Sequence, residues 1–184
     1  MTSNEFRNGS TIDLDGDAYV VVEFLHVKPG KGAAFVRTKL KNLRTGGIVD
    51  HTFRGGEKVT PAQVERKTMT FSYEDGGIYY FMDAETFDLV PLSGDLVMDS
   101  KRWLNESMEC TVVFYQGQAI GVDIPNFVEM EITECEPGVR GNTATGATKP
   151  AKVATGAVVQ VPLFVNEGDV IRIDTRTGDY LTRV

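Results

Sequence analysis

Apolar, β-branched and aromatic residues recur in short alternating stretches along this chain, cut by glycine-containing turns. This period of two predicts strands almost throughout. Strands are expected over 12–14 and 18–24 around the turn Asp15-Gly16-Asp17, whose acidic-glycine pair supplies the positive φ that a tight hairpin needs. A second hairpin joins 25–27 to 34–40 across Lys28-Pro29-Gly30-Lys31-Gly32, and 48–53 adds another strand, so residues up to about 62 read as a small barrel of five or so strands. Thr60-Pro61-Ala62-Gln63 has the residue types of a helical first turn and marks one helical turn or a boundary.

The strand pattern then restarts over 68–73, 78–82 and 87–90. A short helix follows at about 99–107, with Trp103 and Leu104 on its apolar face, and then strands over 110–115 and 119–124. Five strands with one helix suit an OB-type barrel. Pro125-Asn126 breaks the segment. Clean alternation from Val128 opens a third, with a long loop over 137–150 and strands over 157–165, 170–174 and 180–183. The expectation is an all-β chain of three small domains in series, at 1–63, 64–126 and 127–184.

Composition adds limits. Nothing in the 184 residues approaches the roughly 18 consecutive apolar residues of a membrane span, and the first residues lack the basic-then-apolar layout of a signal peptide. The expectation is a cytoplasmic protein with no membrane partner, its two cysteines, Cys110 and Cys135, reduced.

The net charge of −7 conceals a reversal. Residues 28–58 carry Lys28, Lys31, Arg37, Lys39, Lys41, Arg44, Arg54 and Lys58 against Asp50 and Glu57, a net of +6. Residues 1–27 sum to −4, residues 65–126 to −7 and residues 127–184 to −2. A basic stretch in an acidic chain reads either as a solvated strand face or as a nucleic-acid contact.

Enzyme chemistry does not assemble. His26 and His51 lie in no nucleophile or base signature, and single His and Cys residues at 26, 51, 110 and 135 lack metal-ligand spacing, so no metal and no catalytic residue is assigned. Gly141 and Gly146 have the first spacing of a phosphate-binding loop, but Ala147-Thr148 stands where Lys-Ser/Thr is required. Glu129 and Glu131 share one strand face, the placement of solvated carboxylates.

The distinctive element is Lys28-Pro29-Gly30-Lys31-Gly32. Pro29 restricts the entry, and Gly30 and Gly32 remove side chains on both sides of Lys31, so the loop can turn sharply and present one long cation. Such a lysine suits phosphate binding, covalent modification or entry into a narrow cleft. A plain hairpin with exposed lysines remains the alternative.

These residues also carry a resemblance that spans nearly the whole chain. Asn4-Glu5-Phe6-Arg7, the run from Val27 to Phe35, the run from Lys39 to Gly46, Pro125-Asn126-Phe127-Val128-Glu129, Lys149-Pro150-Ala151, the run from Thr155 to Phe164 and the run from Asp174 to Tyr180 occur in the order seen in bacterial elongation factor P. The chain resembles that family. The resemblance implies an SH3-like (KOW-type) barrel followed by two OB-type barrels, L-shaped and similar to a transfer RNA in outline. It implies a non-enzymatic factor, a monomer, that binds the bacterial ribosome between the peptidyl and exit sites. Its partners there would be ribosomal RNA and the peptidyl-site tRNA, and it would stimulate peptide-bond formation at consecutive prolines.

No cofactor is implied. Lys31 matches the family's loop-tip lysine, which is commonly extended by a modifying enzyme, and Arg37, Lys39 and Lys28 become RNA-binding candidates in the basic stretch. In the third domain Gly141, Asn142 and Thr143 match a Gly-Asp-Thr loop placed near the exit-site codon, with Asn142 lacking the family's carboxylate. Tyr180 and Arg183 are further RNA-contact candidates. The competing expectation is a general RNA-binding OB/KOW protein without a role in peptide transfer.

Overall fold

A computed structural model describes residues 1–138 and 146–184. Its strands form three antiparallel sheets in sequence order.

The first sheet runs β1 (Thr11–Leu14), β2 (Asp17–Val27), β3 (Phe35–Asn42) and β4 (Ile48–Arg54), each paired with its chain neighbour. Asp15 and Gly16 at φ 54° and 87° make the β1–β2 turn, as the acidic-glycine pair predicts. In β3 the inward positions Val36, Thr38, Leu40 and Asn42 are buried, while Arg37, Lys39 and Lys41 face outward. Phe6, Ile12, Val21, Val36, Leu40, Phe53 and Val59 form the core under this sheet. Buried Thr38 is satisfied by donating its hydroxyl to the His51 carbonyl at 2.7 Å.

Four strands replace the expected five. The remaining edge is closed by isolated bridges, Thr2 with Lys58 and Ile12 with Pro61. Thr60-Pro61-Ala62-Gln63 accordingly forms no helical turn. Ala62 N–H donates to the Thr11 carbonyl at 3.0 Å and Thr11 Oγ1 to the Ala62 carbonyl at 2.7 Å, so β1 holds this segment extended. Pairing with an existing strand outweighs a weak local preference.

The central sheet has the order β7-β6-β5-β8-β9, built from β5 (Val64–Asp75), β6 (Ile78–Asp83), β7 (Leu89–Ser93), β8 (Glu109–Tyr115) and β9 (Gln118–Asp123). The helix expected at 99–107 lies earlier and is shorter. It is α1 (Gly94–Val97), which Met98 stops at φ 53°, followed by a 3-10 turn over Met98–Arg102. Trp103 and Leu104 are buried as anchors beyond that turn, not as a helical face.

The third sheet has the order β12-β11-β10-β13-β14, from β10 (Phe127–Cys135), β11 (Thr148–Val153), β12 (Val158–Pro162), β13 (Val170–Asp174) and β14 (Asp179–Arg183). β11 begins inside the stretch read as loop, 137–150, and runs three residues past it. Lys149 and Pro150 obscure its alternation, yet the Lys149 side chain is buried and its ammonium donates to the Glu136 carbonyl.

By compactness the chain divides into two units, Met1–Lys67 with Val112–Val122, and Thr68–Thr111 with Asp123–Val184. The first unit contains a small second core of Ala18, Ala62, Val113 and Ile120, with Leu43, Val64 and Tyr115 against it. There the Tyr115 hydroxyl donates to the Asp13 carboxylate, which pushes the phenol pKa up. In the second unit Trp103 is part of the core that β10 to β13 enclose.

Candidate functional site

The β2–β3 hairpin pairs without interruption from Glu23↔Lys39 to Val27↔Phe35. Beyond that last pair residues 28–34 are exposed, and Lys31 stands at the middle of the projecting loop. Gly32 adopts φ 121°, in the left-handed region that L side chains rarely occupy, and a Cβ there would meet Pro29 Cγ at 3.7 Å. Gly30 lies outside that region with open space around it. The turn is thus made by Pro29 and Gly32, while Gly30 leaves the flank of Lys31 bare.

The base of the loop is fastened by a residue that sequence reasoning missed. Gly55 N–H donates to the Ala34 carbonyl at 2.8 Å, and a Cβ on Gly55 would lie 3.0 Å from that oxygen and 3.1 Å from Ala34 Cβ. The only signal was the Gly55-Gly56 pair closing β4. The amino terminus braces the same place, with Ser3 Oγ donating to the Arg54 carbonyl at 2.6 Å and the Phe6 ring edge-on to Phe53 at 5.1 Å. Phe6 of the Asn4-Glu5-Phe6-Arg7 block thereby has a structural role.

Down the outward face, cross-strand rows place Leu25 beside Arg37 beside Thr52, and Glu23 beside Lys39 beside Asp50. Lys39 lies 3.8 Å from the Glu23 carboxylate in an exposed pair. Among the described residues Lys28, Lys31 and Arg37 form no ion pair. A depression of about 370 Å³ lies on this face, lined by Leu25, Arg37, Lys39, Asp50 and His51 among others. The two histidines are packed on aromatic rings, His26 against Phe24 and His51 against Phe53. At the far end of the hairpin Arg44 holds Asp17 at 2.8 Å and keeps its carboxyl below the usual range.

The other candidates lie in the second unit. Tyr180 is half-buried against the third core, opposite Ile173. Arg183 lies 3.5 Å from Asp169 with its guanidinium over the Phe164 ring. Gly141, Asn142 and Thr143 lie outside the described residues. Among the described residues no three His, Cys, Asp or Glu side chains converge as a metal site, and no helix is long and apolar enough to cross a membrane.

In fold, the chain is similar to a solved translation initiation factor 5A from Methanococcus jannaschii, with a TM-score of 0.55 over 65% of this chain and 88% of that one at 20% identity. Three sequence families match in series: the elongation factor P KOW-like domain over residues 2–59, the elongation factor P OB domain over 64–122 and the elongation factor P C-terminal domain over 128–183. Together these three families define a translation factor and not an enzyme. Elongation factor P of Moorella thermoacetica is 56% identical over 183 residues, covering 100% of this chain and 99% of the relative. That of Clostridium novyi is 56% identical over 184 residues, covering both chains fully. The chain belongs to the elongation factor P family.

Proposed function

We propose that this translation elongation factor binds the ribosome between the peptidyl and exit sites, beside the peptidyl-site tRNA, and stimulates peptide-bond formation where consecutive prolines stall it. The observation that supports this reading is the isolation of Lys31: one cation, free of any ion pair among the described residues, on a loop shaped by Gly32 and fastened by Gly55.

Proline is a constrained and poor substrate for peptide transfer. A cation held on a rigid hairpin assists by fixing the tRNA acceptor end in a reactive geometry, which lowers the entropic part of the barrier without proton transfer. Lys31 is a positioning residue in this scheme. Extension of its amine by a modifying enzyme lengthens its reach. Lys28 and Arg37, whose charges are not answered within the sheet, meet RNA phosphates, and each phosphate neutralised releases counterions.

The test is synthesis of a peptide with three consecutive prolines in a reconstituted translation system, comparing host-purified protein with its Lys31→Ala variant. Relief of the stall by the unaltered protein alone supports both the assignment and the role of Lys31. Ribosome binding by both proteins with relief by neither refutes the transfer role and leaves a general RNA-binding protein.

A further inference from the structure

Three arginines, Arg172 of β13, Arg176 of the β13–β14 turn and Arg183 of β14, stand over phenylalanine rings. Arg172 and Arg176 lie 5.1 Å and 5.3 Å from the centroid of Phe127, and Arg183 lies 5.4 Å from that of Phe164. Two of them share one ring. The rings are also not core: Phe127 is 42% exposed and Phe164 51%. Each ring thus has a guanidinium over it and remains partly open to solvent.

The Phe127 site is the more fully built. Asp174, itself nearly buried, accepts from Arg176 Nε at 3.0 Å, from Nη2 at 2.8 Å and from the Arg176 backbone N–H at 2.9 Å. This fork fixes the guanidinium plane and leaves three of its five N–H donors unused by Asp174. The turn is pinned beneath it, since Thr175 Oγ1 donates to the Pro125 carbonyl at 2.7 Å and Thr175 N–H to the Asn126 carbonyl at 2.9 Å. Arg172 projects from the outward face of β13 opposite Glu129, with no ion pair to it among the described residues.

We propose that Phe127, Arg172 and Arg176 form a stacking platform for an unpaired RNA base, with the free guanidinium donors taking the phosphate beside it. The platform is separate from the Lys31 hairpin and does not rest on the peptide-transfer reading. Asp174 offsets one of the two charges, so a duplex backbone, which offers phosphates and no base face, is held poorly. A splayed single strand offers both a π-face and a phosphate.

The experiment is fluorescence anisotropy of the full chain with a labelled single-stranded RNA of about ten nucleotides, within the usual site size of such readers, against the same sequence as a duplex. The single strand is expected to bind more tightly, with a log–log salt slope of about −0.7 per phosphate held. Phe127→Ala should weaken it about tenfold, in line with loss of one stacked base. Arg172→Lys with Arg176→Lys keeps both charges and removes both planes, and should keep the salt slope while losing similar affinity. Lys152→Ala, which removes an exposed β11 cation paired with Glu134 at the other end of β10, should bind as the unaltered chain does. Unchanged Trp103 emission verifies that each variant is folded.

The proposal is overturned if Phe127→Ala binds normally, if the duplex binds as well as the single strand, or if Lys152→Ala abolishes binding. It is equally overturned if the unaltered chain binds no single-stranded RNA.

Discussion

Trp103 is the residue whose removal should cost most. It is 1% exposed and lies in the core with Val128, Met130, Ile132, Ala151 and Ile173, although it arrives from the segment before β8. Its surroundings are fitted to it. Thr155 Oγ1 donates to the Arg102 carbonyl at 2.6 Å, the Arg102 guanidinium lies 4.8 Å from the indole, and a Cβ on Gly178 would stand 3.6 Å from Trp103 Cζ2. Burying roughly 200 Å² of indole at about 25 cal/mol per Å² contributes about 5 kcal/mol. Measured Trp→Ala changes in cores fall at about 3–5 kcal/mol because the cavity relaxes only in part. Against a total stability of about 5–15 kcal/mol, that is a large fraction. Trp103→Ala should therefore lower the urea midpoint of the second unit steeply, followed by circular dichroism. Trp103→Phe, which keeps a ring in the socket, should lose clearly less. The chain contains one tryptophan, so the emission of the unaltered protein reports on this core alone. A cost below about 1 kcal/mol for Trp103→Ala would refute the reasoning, since no fully buried indole in a packed core comes out so cheaply.

Gly32→Ala should impair the triproline assay while shifting thermal unfolding little, because the φ of 121° penalises an L residue by about 1–2 kcal/mol in a loop exposed throughout; Gly30→Ala should be tolerated, and the reverse order would show that the tip is shaped otherwise. Burial pushes the Cys110 thiol up to about 12. At pH 8 Ellman's reagent should then leave Cys110 unmodified until the chain is unfolded. The same shift makes the folded state hold its proton more tightly, so stability should decline as pH rises from the ordinary thiol value of 9.0 toward about 12, a decline that Cys110→Ala removes. Asp174 is held below its ordinary value of 3.8, first by hydrogen bonds from Arg176. Its contribution is present above that value and lost as pH falls through the lower folded one; Asp174→Asn should flatten the acid limb of a stability–pH profile, and an unchanged limb would exclude the clasp as its source.

The hairpins were legible because their turns have local chemistry. Asp15-Gly16 and the Pro29 to Gly32 loop declare positive φ and a constrained entry in residue types alone, and the alternation of β3 and β10 follows from one buried face. The isolation of Lys31 was likewise readable, since glycine on both sides is a property of five consecutive residues. What failed was set by partners distant along the chain. Thr60-Pro61-Ala62-Gln63 has the makings of a helical turn and is extended because β1 takes its hydrogen bonds. β11 was hidden because Lys149 is buried, satisfied by the Glu136 carbonyl, where alternation calls for an apolar residue. Nothing next to Gly55 in the chain marks its closeness to Ala34, and the Phe127 ring of β10 meets Arg172 of β13 and Arg176 of the following turn only because β10 and β13 pair. By itself the sequence determined strand, turn and the exposed cation, because those follow from a few neighbouring side chains. The loop's anchorage, the Trp103 socket and the arginine platform were decided by tertiary structure, because each depends on groups that meet only when the chain has closed on itself.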